Sequence, residues 1–468
     1  MSQNIAFDRT KFVMYTPWTT GTNAGHLTIN PQGPTGANTQ GFTVQINDTS
    51  ASLTAYIATG LTVNYNIDGG ANQTLVGNNT WAVWPLTGIT SGCVLTMTWN
   101  TASGILLFDS SAMLVLGTTS ATISQPPGWG QMYYKGDTNF TANSSVAATS
   151  DGYGYIGAWP DQMVRMHGTG ATTGMKIYGV GGANSSRIVM LKDGLPATSG
   201  SGAVIGGGGN TNVFKWYTVA SGISTDASNH DFAVGWGYIG DYPEFWSVCL
   251  VGGVASGSAP TPYTTSAVSI GDSITAANVI ATSGAGTSFD SWFYRLCQAN
   301  NWQPFNRGIG GSFVTVGQAN SAVTRFNADV GSITANPTVC ILMHGANDIH
   351  DAIGQSTYAS NYRTLIGQFF TKWPSIAVYQ FGTVNRNDDS GSHNATRTAY
   401  NSAVDGISAI TTGHWLTDGV ITPATDTSDN LHPNPAGSLK IKNFMQQVLT
   451  ARKATGASTT TGVQSITL

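Results

Sequence analysis

Four short stretches of this chain carry side chains suited to moving an acyl group. In Val268-Ser269-Ile270-Gly271-Asp272-Ser273-Ile274-Thr275 an apolar run ends in Gly-Asp-Ser, which leaves Ser273 just past a strand end. Gly-Asp-Ser alone also recurs in ordinary surface turns; its company downstream is what singles it out. Gly310 and Gly311 lie in Asn306-Arg307-Gly308-Ile309-Gly310-Gly311-Ser312, and Asn347 lies in His344-Gly345-Ala346-Asn347-Asp348, directly after an apolar strand. Asp429-Asn430-Leu431-His432 completes the set near the end of the chain.

Each residue type answers a need of the chemistry. A serine hydroxyl is a poor nucleophile until a base within about 3 Å takes its proton. His432 is the candidate base, and Asp429, three residues earlier, can reach its other ring nitrogen and hold the required tautomer. Pro433 and Pro435 stiffen the segment before the last helix. Attack creates a negative oxygen, for which the N–H of Ser273, the N–H of Gly311 and the Asn347 amide are the candidate donors. The adjacent Gly310 leaves the glycine register open by one. Asp272 and Asp348 are expected to cap loops or helix starts. Ser269 sits too far inside the strand to react, and His344 is expected to be packed rather than to meet substrate. No His, Asp or Glu set has metal-site spacing, and the chemistry requires no cofactor.

Positioning these residues takes a particular scaffold. From Ser266 onward, apolar strands at 267–270, 338–343, 376–381 and 414–416 alternate with helical stretches at 289–298, 323–330, 358–370, 400–410 and 437–451. Strands this apolar, alternating with helices, imply a parallel sheet covered on both faces. Ligands bind such sheets beyond the carboxyl ends of the strands, which is where Ser273, Gly311, Asn347 and the 429–432 step can converge.

The four blocks, in this order, resemble those of the SGNH (GDSL-type) hydrolases. The resemblance covers about residues 265–450 and implies a flavodoxin-like α/β/α sandwich and serine esterase activity. Ser273 matches the family's nucleophile, Gly311 and Asn347 its oxyanion donors, and Asp429 and His432 its acid and base. Carbohydrate-esterase relatives often carry a jelly-roll domain ahead of this one.

Before the α/β region the period falls to two. Runs at 42–46, 61–67, 81–84, 94–99 and 113–116, broken by turns such as Asp68-Gly69-Gly70, describe a β-sandwich or jelly roll. A second set at 163–166, 175–178, 188–191, 213–217 and 246–250 describes another. Residues 1–40 read as an arm or irregular first strands. The expected layout is a β-sandwich domain over 1–120, a second β-sandwich or jelly-roll domain over 121–262, the hydrolase domain over 263–451 and a polar tail over 452–468.

Composition narrows the function classes. Only 9% of residues are charged, with a single glutamate, Glu244, while 13 Trp, 17 Tyr and 17 Phe supply core material. This composition suits extended β structure with Thr, Ser and Asn on its polar faces. A net charge of −4 without a basic stripe argues against nucleic acid as a partner. The four cysteines, Cys93, Cys249, Cys297 and Cys340, are scattered in apolar runs and read as buried thiols. No window has the length of a membrane span, and the first residues lack the apolar core of a signal peptide. An extracellular site of action, reached by another route or on a virion, is nevertheless expected.

The expected partner is an acetylated glycan or polysaccharide. Tryptophans 81, 84, 99, 129, 159, 216, 236 and 246 lie in the β segments, and aromatics of this kind stack on sugar rings, although most must serve the cores. A lipase or arylesterase is the alternative within enzymes. A glycan-binding structural component, such as a viral tail fibre, is the alternative outside them, with a homo-oligomer or virion assembly as its setting.

Overall fold

The computed structural model describes the first strands (2–6, 13–14, 18–23, 26–31) and residues 40–99, 106–109 and 112–124. It further describes 133–134, 155–156, 163–169, 172–180, 186–197, 203–205, 214–223, 228, 230–236, 244–251 and 254–256. The remainder described is 262–277, 286–333, 335–387, 392–405, 413–415, 417–454 and 463–464.

The first unit packs two antiparallel sheets around one core. Gln40–Asn47 lies between Cys93–Trp99 and Thr122–Ser124 in one sheet. Ala51–Ile57 pairs with Thr80–Leu86, Leu106–Asp109 and Leu114–Leu116 in the other. Alternation explains the core: Phe42, Val44 and Ile46 face Leu53, Ala55 and Ile57, and all six are fully buried. The Asp68-Gly69 step forms the expected tight hairpin, with φ of 50° and 66° and a bond from Gly70 N–H to Ile67 O of 2.8 Å. Ala51–Ile57 is absent from the sequence reading, although its buried residues alternate throughout. Trp18–Asn23 and His26–Pro31 pair as a hairpin within the stretch read as an arm or irregular first strands.

A second strand-rich unit follows, with a sheet built on Met163–Thr169, His230–Trp236 and Ser186–Lys192 and another on Glu244–Val251, Gly174–Val180 and Phe214–Ser221. The run Ile188, Val189, Met190 and Leu191 is buried at every position. Successive side chains point to opposite faces, so this strand is covered on both. Val189 and Leu191, with Met163 and Ala233, pack against Phe289 and Tyr294 of the last unit. The turn Asp193-Gly194 docks there too, with Tyr294 Oη donating to Gly194 O at 3.0 Å. Of the tryptophans, Trp99 is core, and Trp84 is part-buried with its indole N–H on Ala55 O. Trp129 and Trp159 lie outside the described residues, as do the side chains of Trp216, Trp236, Trp246 and Cys249.

The last unit is an α/β/α sandwich. In chain order its elements are β1 (Thr265–Gly271), α1 (Ser273–Ala276), α2 (Trp292–Ala299), β2 (Trp302–Gly308), α3 (Ala322–Asp329) and β3 (Val339–Met343). Then come α4 (Ala346–His350), α5 (Gln355–Lys372), β4 (Ala377–Phe381), α6 (Ser392–Asp405), β5 (Gly413–Trp415), α7 (Pro423–Asp426), α8 (Pro435–Ala454) and β6 (Val463–Gln464). The sheet order is β2-β1-β3-β4-β5-β6, and every pair is parallel. Val268, Ile270, Cys340 and Leu342 face α3 and α5, while Ala267, Ile341 and Met343 face α2 and α8. The strand-rich half followed by a helix-covered parallel sheet is the expected fold class.

Two local differences have physical causes. Strand β2 was not expected, because Pro304, Asn306 and Arg307 interrupt its apolar pattern; it is an edge strand, where proline removes no ladder bond on its open side. In the polar tail, Val463–Gln464 adds a short sixth strand to the sheet beside Gly413–Trp415.

Gly308 closes β2 where α1 passes closest. A Cβ there would lie 2.4 Å from Ala276 N and 2.8 Å from its Cα. The Gly308→Ala substitution is expected to cost about 1–3 kcal/mol through overpacking against main chain. Calorimetry would register a lower unfolding midpoint, and an unchanged one would show that α1 shifts freely.

Candidate active site

The site begins with the register of β1 and β2. Gly271 and Gly308, their last residues, are direct neighbours, and Ile309 N–H adds a final bond to Gly271 O at 3.0 Å. The loops carrying Ser273 and Gly311 therefore leave the sheet at one level. On the other side of β1, Ala267 pairs with Val339, which brings the end of β3 and the start of α4 alongside. This junction, where chain order reverses across the sheet, is the crevice that α/β proteins use for ligands.

Asp272 ties the two sides together. Its carboxylate accepts from Ile274 N–H at 3.0 Å, capping α1, and from Ala346 N–H at 3.3 Å at the start of α4. His344 Nδ1 lies 3.4 Å from the same carboxylate, a long contact between two groups at most 1% exposed. Burial pushes the Asp272 carboxyl up, but the His344 contact and the two N–H donors outweigh it and hold it below the ordinary range. Asp348, fully buried, accepts from the N–H groups of Val314 and Thr315 and from the Thr315 hydroxyl at 2.6 Å. Both aspartates are thus occupied with main chain, and Ser269 lies inside β1, fully buried.

Ser273, at the first position of α1, retains partial exposure. Its Oγ is 2.8 Å from His432 Nε2, and His432 Nδ1 is 2.6 Å from Asp429 Oδ2. Asp429 Oδ1 also accepts from the N–H groups of Leu431 (3.1 Å) and His432 (2.7 Å). Burial pushes its carboxyl up, but the His432 main-chain and side-chain bonds more than offset this and hold it below the usual value. The loop is closed by a bridge between Thr427 and Pro433 and by Asn387 N–H donating to Asn430 O at 2.7 Å. Asn434 then caps the start of α8 through bonds from Ala436 and Gly437 N–H, both 3.0 Å.

The glycine step is a tight turn from Ile309 to Ser312, in which Gly311 has φ of 70° and an exposed surface. A left-handed φ at Gly311 is the conformation glycine adopts without penalty. Asn347 donates its amide to Ser312 O at 2.9 Å, which joins α4 to the glycine turn. His344 does not line the surface; its Nε2 is 3.3 Å from Ser312 Oγ.

One participant escaped the sequence reading. Arg325 of α3 is largely buried and reaches under both loops. It donates to Gly271 O (2.9 Å), Arg307 O (2.8 Å), Asn320 O (3.1 Å), Ser312 Oγ (3.2 Å) and Asp329 Oδ2 (2.6 Å). Burial pulls its guanidinium below the ordinary value, and Asp329 works against that pull. The one sequence signal is indirect: a chain with so few charges places an arginine on an otherwise amphipathic short helix.

The sequence model of the GDSL-like lipase/acylhydrolase family matches residues 269–439, from the nucleophile strand through the 429–432 loop and into the last helix. The α/β domain thus matches the family that the four sequence blocks resemble, the SGNH (GDSL-type) hydrolases. Among solved structures, a family two carbohydrate esterase from Clostridium thermocellum in complex with cellohexaose is similar at TM-score 0.54 and 15% identity, over 70% of this chain and all of that one. A family two carbohydrate esterase from Cellvibrio japonicus gives 0.52 and 14%, over 69% of this chain and 97% of that one. At such identities these are likenesses of fold, and their extent takes in part of the strand-rich half as well as the GDSL-like domain. No curated protein matches the chain.

The electrostatics of the GDSL-like site predict an acid limit. A carboxylate held below its unfolded pKa stabilises the fold fully above that pKa, and the contribution disappears as pH falls through the folded value. For Asp272 the loss begins below about pH 4. In melts across pH, Asp272→Asn is expected to start lower near neutrality and to lose less than wild type between about pH 5 and about pH 3. Parallel pH curves for the two proteins would remove Asp272 from the acid response.

Proposed function

We propose that this chain is a serine esterase that removes O-acetyl groups from a polysaccharide or glycan. The observation that carries the reading is the chain of contacts Asp429–His432–Ser273, with both imidazole nitrogens engaged within 3 Å. In this arrangement His432 Nε2 takes the Ser273 proton as Oγ attacks the acetyl carbonyl, and Asp429 stabilises the resulting imidazolium through Nδ1. The tetrahedral oxyanion is met by the Ser273 and Gly311 N–H groups and by the Asn347 amide, whose second N–H remains to be donated beside the one on Ser312 O. His432 then protonates the departing sugar oxygen. It next activates water against the acetyl–Ser273 ester, and acetate leaves as the hydroxyl is restored.

The match to the lipase/acylhydrolase family model over residues 269–439 supports ester hydrolysis as the reaction. Carbohydrate as the leaving group is supported by the family two carbohydrate esterases that share the fold beyond the GDSL-like domain. Acetyl as the acyl group is the narrowest part of the proposal and is tested directly.

Acetate release from acetylated xylan and from nitrophenyl acetate is expected for the wild type and should vanish in Ser273→Ala. Asn347→Ala should retain activity but lose about 3 kcal/mol of transition-state stabilisation, on the order of a hundredfold in kcat. A preference for long acyl chains would replace the acetylesterase reading with a lipase one. Hydrolysis unaffected by Ser273→Ala would overturn the nucleophile assignment.

A further inference from the structure

The three donors of the proposed oxyanion pocket come from three separate segments, and none is held in the sheet. Ser273 lies two residues past the end of β1, Gly311 three past the end of β2, and Asn347 is in α4. An oxyanion pocket works only if its donors are fixed before charge develops, and displacements of about 1 Å are costly. Something beneath the loops must set their spacing.

Arg325 has the required connections. A guanidinium offers five N–H groups in a rigid fork, and here each has its own acceptor: Nε on Asn320 O, Nη1 on Arg307 O and Asp329 Oδ2, Nη2 on Gly271 O and Ser312 Oγ. Gly271 O precedes the nucleophile segment, while Arg307 and Asn320 bracket the glycine loop. Ser312 adjoins Gly311 and through its carbonyl accepts the Asn347 amide at 2.9 Å. The Ser312 hydroxyl donates to Asn320 O at 2.7 Å and accepts from Arg325, and its oxygen also lies 3.3 Å from His344 Nε2. One planar cation therefore touches the supports of all three donors. We propose that Arg325 is the positioning residue that sets the geometry of the oxyanion pocket, an inference that rests on the esterase reading above.

A lysine cannot replace it, since three donors on one point charge cannot span five diverging acceptors. A residue that only stabilised the fold would change the melting temperature and leave the turnover of folded protein unchanged. A positioning residue changes kcat with little effect on KM, and it also slows reaction of Ser273 with a phosphonate ester, whose transition state loads the same donors.

The test uses the full chain and nitrophenyl acetate, with a nitrophenyl alkylphosphonate as the second probe. Arg325→Met is expected to lower kcat and the phosphonylation rate in parallel by about a hundredfold, with KM changed less than about twofold. Arg325→Lys should fall between it and wild type. A folded Arg325→Met protein with wild-type kcat and phosphonylation overturns the proposal. If that variant does not fold, Ser312→Ala carries the test. It removes one of the five acceptors and should lower kcat about tenfold without loss of fold, and wild-type turnover in it likewise overturns the proposal. Absence of wild-type activity, or equal activity in Ser273→Ala, would instead remove the esterase reading and this inference with it.

Discussion

Two parallel strands that end level with each other are what the rest of the site depends on. The hydrogen bonds between Thr265–Gly271 and Trp302–Gly308 fix the relative height of two otherwise independent loops, and both strands close with glycine. Neither glycine tolerates a side chain: a Cβ at Gly271 would fall 2.2 Å from the Thr275 hydroxyl oxygen, and one at Gly308 would meet the main chain of Ala276. Removing two methyl groups' worth of volume is what lets the short helix behind Ser273 lie directly on the neighbouring strand. Asn306 completes that contact by donating to Thr275 O at 2.8 Å and accepting from Gly308 N–H at 2.9 Å.

The aspartates of the site divide by environment rather than by distance from the serine. Asp272 and Asp348 are sealed from solvent and satisfied by N–H groups, so their charge serves to join segments that are remote in sequence. Asp429 is part-exposed, and one of its oxygens faces an imidazole. Asp429 also accepts from main chain, but the imidazole it holds reaches the part-exposed Ser273 hydroxyl, whereas the His344 ring beside Asp272 meets the buried Ser312.

Much of this was legible in the sequence because strand ends announce themselves. Ser273 and Asn347 each follow an apolar run that breaks at glycine, and Asp429 and His432 are close enough in the chain to find each other locally. The α/β order was readable for the same reason, since the period of the apolar residues changes from two to that of a helix near Ser266. What escaped notice lacked such a signal. Strand Trp302–Gly308 carries Pro304, Asn306 and Arg307 because an edge position and an active-site end tolerate them. Arg325 lies in a helix more than fifty positions from Ser273, and three of its acceptors are main-chain carbonyls, which every residue possesses. Val463–Gln464 is too short to produce any pattern, and only its neighbour Gly413–Trp415 makes it a strand.

That dependence on carbonyls has an evolutionary consequence. A carbonyl oxygen is the same whatever side chain its residue bears, so substitutions at Asn320, at Arg307 or along the exposed stretch 316–320 leave three of the anchor points chemically intact. On the proposed esterase reading, the rim of the crevice can diversify toward new leaving groups while the contacts below it keep their dimensions. If Arg325 positions the pocket as proposed, drift can collect along 316–320, whereas Gly271, Ser312, Asp329 and Arg325 stay constrained, a division that separates the evolution of selectivity from that of turnover.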